Sequence, residues 1–387
     1  MLISTNKKEW LGNVRNDIFG GLVTSVALIP EVIGFAILSG VNPITALFAS
    51  VITIIVTSLT GGRPAMVSAA AGSMALVMVT LIKNYGIEYM VAATILTGGL
   101  QLFFGYLGIH RLMRFVSKPV MSGFVNALAI LIFIAQIQQL MHVSFAAYVM
   151  TIFAIAVMYL FPYVTKLIPA ALIVIVLMTV GTFTFGWNVQ TVGNLGDMSG
   201  NIQGLHLPSV PMNFETLRII FPTALALSLV GLVESLLTLP IVDEMTETIG
   251  DSRREVKAQG LANIVTGFFG GPAGCAMIGQ AVINVKSGGR KRLSTMAAGI
   301  VLLLLLIVFK GVMLQIPTPA LIGIMITVAI TTFDFDSIKT VRKLSFIEAT
   351  AMILTIAVVL YTHNLAVGII VGVLITFLDL KSLQKNN

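Results

Sequence analysis

Ser25-Val26-Ala27-Leu28-Ile29-Pro30-Glu31 sets a carboxylate six positions after a serine inside a long apolar run, and Ser228-Leu229-Val230-Gly231-Leu232-Val233-Glu234 repeats that frame in the second half of the chain. Each run is followed by a Gly-Gly and a string of tiny side chains. The first string reads Gly61-Gly62-Arg63-Pro64-Ala65-Met66-Val67-Ser68-Ala69-Ala70-Ala71-Gly72-Ser73-Met74-Ala75. The second reads Gly270-Gly271-Pro272-Ala273-Gly274-Cys275-Ala276-Met277-Ile278-Gly279-Gln280-Ala281. An acid at membrane depth costs a few kcal/mol or more, so its default reading is a proton, cation or substrate site. The same arrangement occurring twice points to two related halves facing one another across such a site.

The composition agrees. Of 387 residues, 57% are hydrophobic and only 10% charged, against about 25% charged in an ordinary soluble domain. Spans of roughly 20 apolar residues are predicted at 17–39, 44–60, 66–83, 90–108, 117–139, 145–162 and 168–187. They resume at 216–240, 257–270, 275–287, 293–311, 317–333, 345–362 and 364–380. This leaves no room for a sizeable soluble domain, and no cleavable signal pattern precedes the first span. The single cysteine, Cys275, excludes an internal disulfide framework.

The net charge of +7 reads as topology rather than as a nucleic-acid surface. With these spans, every Lys and Arg except Lys83, Arg218 and Lys310 falls on one side, a strong positive-inside bias. Both termini are therefore expected in the cytoplasm of a multi-pass inner-membrane protein. Seven spans per half make the second half enter from the opposite face, giving inverted repeats. The expected fold is all-α, with repeat one over 1–190, an external linker over 191–213 and repeat two over 214–387.

Spans three and ten stand apart. Clustered Gly and Pro break helices, and unwound backbone at membrane depth survives only where protein or a water-filled cavity satisfies it. Each is read as a short extended stretch leading into a half-helix, the two N-termini aimed at a common centre where their N–H groups favour an anion. The candidate substrate-binding residues are Ala70, Ala71, Gly72 and Ser73 in the first half, and Cys275, Ala276, Met277, Ile278 and Gln280 in the second. Glu31 and Glu234 are the candidate coupling carboxylates. Thr238 lies one turn beyond Glu234 on the same face, and Asp243 continues that face toward the cytoplasm. Glu234 with Thr238 is a candidate Na⁺ site, while a protonatable Glu serves H⁺ instead. No other cofactor is expected. His110, His142, His206 and His363 show no metal-ligand spacing, no catalytic motif is present, and no phosphate-binding loop suggests ATP-driven transport. Glu348 reads as an interfacial ion pair near Lys343, and Asn126 as an interhelical hydrogen bond.

Further stretches carry a family likeness: Gly20-Gly21 to Ile29-Pro30, Gly40-Val-Asn-Pro43, Gly62 to Ser68, Val116-Ser-Lys-Pro-Val-Met-Ser-Gly-Phe124, Glu234-Ser-Leu-Leu-Thr238, Arg254-Glu255, Gln259-Gly-Leu-Ala-Asn263 and Asn284-Val-Lys-Ser-Gly-Gly289. Together they resemble the SulP family of inorganic anion transporters, related to the solute carrier family 26 proteins. The resemblance implies a core domain (spans 1–4 and 8–11), a gate domain (spans 5–7 and 12–14), a substrate site between spans three and ten, and an elevator-like movement. It also implies sulfate, bicarbonate or a similar anion as substrate, some members using Na⁺ or H⁺. In bicarbonate-carrying relatives an acid and a Thr four residues on bind Na⁺, positions held here by Glu234 and Thr238. This chain departs from the pattern at Ile278, where a hydroxyl completes the Na⁺ site, at Gln280, where many members place Arg, and at Ala69-Ala70-Ala71. Most members continue into a STAS domain; this chain is expected to be a member without one.

The expected function is thus H⁺- or Na⁺-coupled symport of a small inorganic anion. The alternatives are a nucleobase–proton symporter of the same fold and an anion channel or exchanger. The partners expected are the anion, the coupling ion, the bilayer and a second copy in a homodimer; an enzyme is not expected.

Overall fold

The computed structural model describes residues 6–109, 111, 116–141, 143–165, 168–194 and 204–385, with side chains as far as residue 377. His110, Arg114, His142, Lys166, part of the 191–213 linker, and the Lys381 and Lys385 side chains lie outside the described residues.

Helices run in chain order as α1 (Lys7–Trp10), α2 (Val14–Ser39), α3 (Pro43–Thr60), α4 (Gly72–Tyr85), α5 (Ile87–Leu107), α6 (Lys118–Gln139), α7 (Phe145–Val164) and α8 (Ala170–Phe185). They continue as α9 (Phe214–Thr246), α10 (Ser252–Phe268), α11 (Ile278–Lys286), α12 (Arg292–Met313), α13 (Thr318–Thr332), α14 (Phe335–Thr340), α15 (Phe346–Thr362) and α16 (Leu365–Lys385). Two-residue strands β1 (Ser68–Ala69) and β2 (Cys275–Ala276) precede α4 and α11. A helix therefore falls in each of the predicted apolar segments. Among the described residues, eight helices are long and apolar enough to cross a membrane, with shorter apolar helices at Ala170–Phe185, Phe346–Thr362 and Leu365–Phe377. The protein is a multi-pass helical membrane protein.

Local chemistry sets the ends. Asn42 accepts from the Ile44 N–H at 2.9 Å, with Pro43 in the first turn of α3, where its missing N–H is harmless. Asn213 caps α9 and Asp251 caps α10 in the same way. Gly40, at φ +77°, ends α2 in the left-handed conformation that glycine adopts without strain. Ser345 and Glu348 form a reciprocal capping box on α15, so Glu348 serves its own helix start rather than the ion pair expected with Lys343.

The chain divides into two compact units. One comprises Met1–His110 with His142–Ile324, the other Arg111–Met141 with Met325–Asn387. Within the first, α5 packs along α10, and α12 lies against α2 and α3. A Cβ on Gly98 would stand 2.5 Å from the Gly260 carbonyl, and one on Gly260 would stand 2.7 Å from the Gly98 carbonyl. Bare backbones thus touch where α5 meets α10, as small residues permit in membrane bundles. Within the second, α6 packs against α15 and α16. Asn126 there donates to Ser337 Oγ at 2.8 Å and accepts from the Asp334 N–H at 2.7 Å, the interhelical bonding its sequence setting suggested. Spans six and seven (α7 and α8) fall in the first unit.

Candidate functional site

The first unit is organised around a crossing of β1 and β2. They pair antiparallel, Ser68 opposite Ala276 and Ala69 opposite Cys275, and the Met277 N–H donates to the Val67 carbonyl at 2.9 Å. Three residues past β1 begins α4, and two past β2 begins α11, so both helices start at the crossing. Tiny residues are required here. A Cβ on Gly274 would stand 2.6 Å from the Ala69 carbonyl oxygen, and one on Gly72 would stand 2.4 Å from the Phe35 ring. Ala71 and Met277, the residues before each helix, supply no side-chain cap, which leaves the first-turn N–H groups without side-chain partners.

A polar ladder on α10 holds the crossing in place. Glu255, Gln259 and Asn263 recur every fourth residue and share one helix face. Glu255 Oε2 accepts from the Gly62 and Arg63 N–H groups at 2.7 and 3.2 Å. Gln259 Nε2 donates to Glu255 Oε1 at 2.8 Å and to Ser68 Oγ at 2.7 Å. Asn263 clamps one residue of the other strand approach: Gly274 N–H donates to its Oδ1 at 2.8 Å, and its Nδ2 donates to the Gly274 carbonyl at 3.0 Å and to Gln101 Oε1 at 2.8 Å. Ala65 is left-handed at φ +64°, a conformation costing a non-glycine residue about 1–2 kcal/mol; Asn284 Nδ2 donates to its carbonyl at 2.9 Å. From the sequence Glu255 reads as part of a solvated, mutually paired loop, whereas the structure buries it in α10; Gln259 and Asn263 carried only the family likeness. The every-fourth-residue polar spacing within a span was the signal that marked them.

The two carboxylates occupy different surroundings. Ser73 Oγ, in the first turn of α4, donates to Glu234 Oε2, and Cys275 Sγ reaches the same oxygen at 3.3 Å. Ser235 Oγ accepts from the Ala276 N–H at 3.1 Å. The structure thus brings Ser73, Glu234, Cys275 and Ala276 together. Glu31 is half-buried on α2, with the Gln280 side chain of α11 beside it. Gln280 is fully buried, and its side chain reaches the Glu31 carboxyl. The Ala70 N–H donates to Ser50 Oγ at 3.1 Å, and Ile278 begins α11 half-buried. Asp243 is not brought to this group. It lies about two and a half turns beyond Glu234 and pairs with Arg63 Nε at 2.8 Å, while accepting from the Gly250 N–H at 2.9 Å. The paired serines of the repeated frame also stay apart from the acids, since Ser25 bonds to the Leu22 carbonyl and Ser228 to those of Ala224 and Thr97.

Two groups, one a thiol, are positioned as donors to a single Glu234 carboxylate oxygen, and the Thr238 hydroxyl donates to the Glu234 carbonyl at 2.8 Å. A hard cation needs several oxygen acceptors, and neither Cys275 nor Ile278 supplies one from its side chain. Among the described residues, no group of three or more His, Cys, Asp or Glu could hold a metal ion. A cavity of about 320 Å³ lies elsewhere, walled by Leu96, Leu207, Pro211, Leu217, Ile220 and Phe268 among others, with no charged residue in its lining. The lining is mostly apolar, with Asn213 and Thr216 as its polar side chains.

Residues 14–158 and 137–355 match the Sulfate permease family. The chain is 48% identical over 372 residues to "Putative sulfate transporter YbaR" of Bacillus subtilis (strain 168), covering 96% of this chain and 78% of that protein. It is 28% identical over 418 residues to "Bicarbonate transporter BicA" of a Picosynechococcus species, covering 98% of this chain and 73% of that one. Among solved structures, the transmembrane domain of a cyanobacterial BicA superposes with a TM-score of 0.79 at 26% identity, over 93% of this chain and 97% of that one. SLC26A9 superposes at 0.81 with 17% identity, over 96% and 66%, a likeness of fold alone.

Proposed function

Because the chain belongs to the sulfate permease family, whose members are membrane transporters and not enzymes, we propose that it is a proton-coupled symporter of a small inorganic anion of the sulfate or bicarbonate class. One observation carries this reading. Two uncapped helix starts meet at the β1–β2 crossing, with Glu234 bonded across it and Glu31 beside Gln280 of α11. The helix starts supply partial positive charge for the anion, and the carboxyl groups supply sites where a proton offsets it. Loading both partners favours the same state, which is the condition for coupling.

In this reading the fourteen apolar segments cross the membrane as two inverted sets of seven, both termini cytoplasmic. The core contributed by spans 1–4 and 8–11 moves against a gate in an elevator-like cycle. Names of relatives such as YbaR and BicA support sulfate and bicarbonate as the first anions to try. The protein reconstituted in liposomes should accumulate labelled sulfate or bicarbonate when the outside is more acidic, and a protonophore should abolish that accumulation. Uptake indifferent to the pH gradient, or driven only by a Na⁺ gradient, would refute proton coupling.

A further inference from the structure

Away from the crossing, the first unit encloses the cavity of about 320 Å³ between α5, α9, the end of α10 and residues 207–212, which lead into α9. That segment is tied down as a roof. The Ser209 N–H donates to Glu88 Oε2 at 2.7 Å, and His206 Nε2 lies 3.0 Å from each Glu88 oxygen. The His206 N–H donates to the Phe268 carbonyl at 2.6 Å. The volume sits at the lower end of the roughly 300–1,000 Å³ of pockets that hold small molecules. Water gains little there, because a buried water needs about two to four polar partners. The lining offers only the Asn213 and Thr216 side chains, and Asn213 Oδ1 already accepts from the Thr216 N–H at 2.8 Å.

The surface beside the cavity indicates what enters it. Phe214, Leu217 and Phe221 are exposed at helical spacing on α9, which is long and apolar enough to cross a membrane. That face therefore meets lipid. Leu205, Leu207 and Met212, on and beside the roof, are exposed too and extend the apolar surface. Leu217 belongs both to the exposed face and to the cavity lining, so the cavity is continuous with the lipid-facing side. Arg218 lies on the same face, exposed, four residues after Phe214 and three before Phe221. Among the described residues no ion pair engages it, Glu215 on the preceding turn included. An acyl chain is as apolar as the cavity wall, so the chain alone has no hydrophobic reason to leave the bilayer. Selectivity falls to the cation, which attracts an anionic headgroup.

We propose that this cavity is a binding site for one anionic phospholipid, with an acyl chain lying under the 207–212 roof and the headgroup phosphate held at Arg218. None of its lining residues belongs to the β1–β2 crossing, so the site is independent of which anion is carried.

Quenching of tryptophan emission by brominated acyl chains tests this in the full chain. Trp10→Phe and Trp187→Phe remove the two native tryptophans, and Leu207→Trp places a reporter on the roof. The protein is reconstituted in phosphatidylcholine vesicles that contain a trace of dibrominated phosphatidylglycerol or of dibrominated phosphatidylcholine, which keeps the surface potential negligible. Half-quenching should require about fivefold less phosphatidylglycerol than phosphatidylcholine. Arg218→Gln should abolish that preference and Arg218→Lys should keep most of it. Leu96→Phe, which fills the cavity, should abolish it with Arg218 intact. Equal quenching by the two lipids in the reporter protein would overturn the inference. So would a preference that survives Arg218→Gln, or that survives Leu96→Phe in a protein melting like its parent; Arg218 is exposed, so its variants carry the test even where Leu96→Phe fails to fold. Absence of quenching by either lipid, with emission that shifts as protein density rises, would place a second copy of the chain over this face and overturn it as well.

Discussion

The start of α4 and the start of α11 face one another across the same pair of short strands, yet they treat their carboxylates in different ways. On the α4 side Ser73 donates directly to Glu234, joined there by Cys275. On the α11 side Glu31 has the Gln280 side chain as its neighbour. A carboxyl held by two donors at the strand crossing is more rigidly fixed than one held by a single side chain. The contrast teaches that similar positions in the two halves need not have the same surroundings: Glu234 accepts two donors at the crossing, and Glu31 lies beside Gln280.

The strongest way to break the comparison is to loosen the half that carries Gln280. Asn263→Ala leaves the Gly274 N–H and carbonyl without their partners, at about 1–3 kcal/mol each, so a loss of about 3 kcal/mol is expected. It should register as a lowered melting temperature together with weakened anion binding; an unchanged melting curve would mean that Asn263 does not fix β2. Leucine in place of each acid should then separate the two surroundings. Glu234→Leu strands Ser73 Oγ and Cys275 Sγ and should destabilise by about 2 kcal/mol, whereas Glu31→Leu strands only the Gln280 amide and should destabilise by less, about 1 kcal/mol. Equal melting shifts would erase the distinction.

A milder change sharpens the functional side. Each carboxyl that carries a proton contributes about 1.4 kcal/mol, a tenfold factor in accumulation, per unit of pH gradient. Glu31→Gln and Glu234→Gln should each lower gradient-driven uptake by about that factor while leaving exchange at equal pH measurable. The smallest effect is expected from Asp243→Asn. Asp243 pairs with Arg63 outside the Glu234 group, and Arg63 keeps the Val242 carbonyl and the Thr246 and Thr248 hydroxyls. Accumulation should stay within about twofold of wild type, well under 1 kcal/mol; a loss matching Glu31→Gln would make Asp243 a coupling residue after all.

Much of this was legible in the sequence, for identifiable reasons. Long apolar runs and Gly, Asn and Asp punctuation place the helices, because lipid demands internally satisfied backbone. The Gly-Gly and tiny-residue strings mark positions where Phe35 or a facing carbonyl leaves no room for a Cβ. The α10 ladder was not read, since its partners, Gly62, Ser68 and Gly274, are backbone or hydroxyl groups of other segments that only the crossing brings near. The Ser25 and Ser228 repeat drew attention to the right spans for an incidental reason: each hydroxyl bonds to carbonyls and neither touches a carboxylate. Asp243 looked like a continuation of the Glu234 face because periodicity records direction around a helix but not what stands opposite.

The direct test of proton loading is the release or uptake of H⁺ when anion is added to the purified protein in weakly buffered solution near neutral pH, followed with an indicator dye. Wild-type protein should take up protons on addition of bicarbonate or sulfate, and the double variant Glu31→Gln, Glu234→Gln should bind the anion without any proton uptake. Anion binding by the wild-type protein with no proton uptake, or the same uptake in the double variant, would contradict the account.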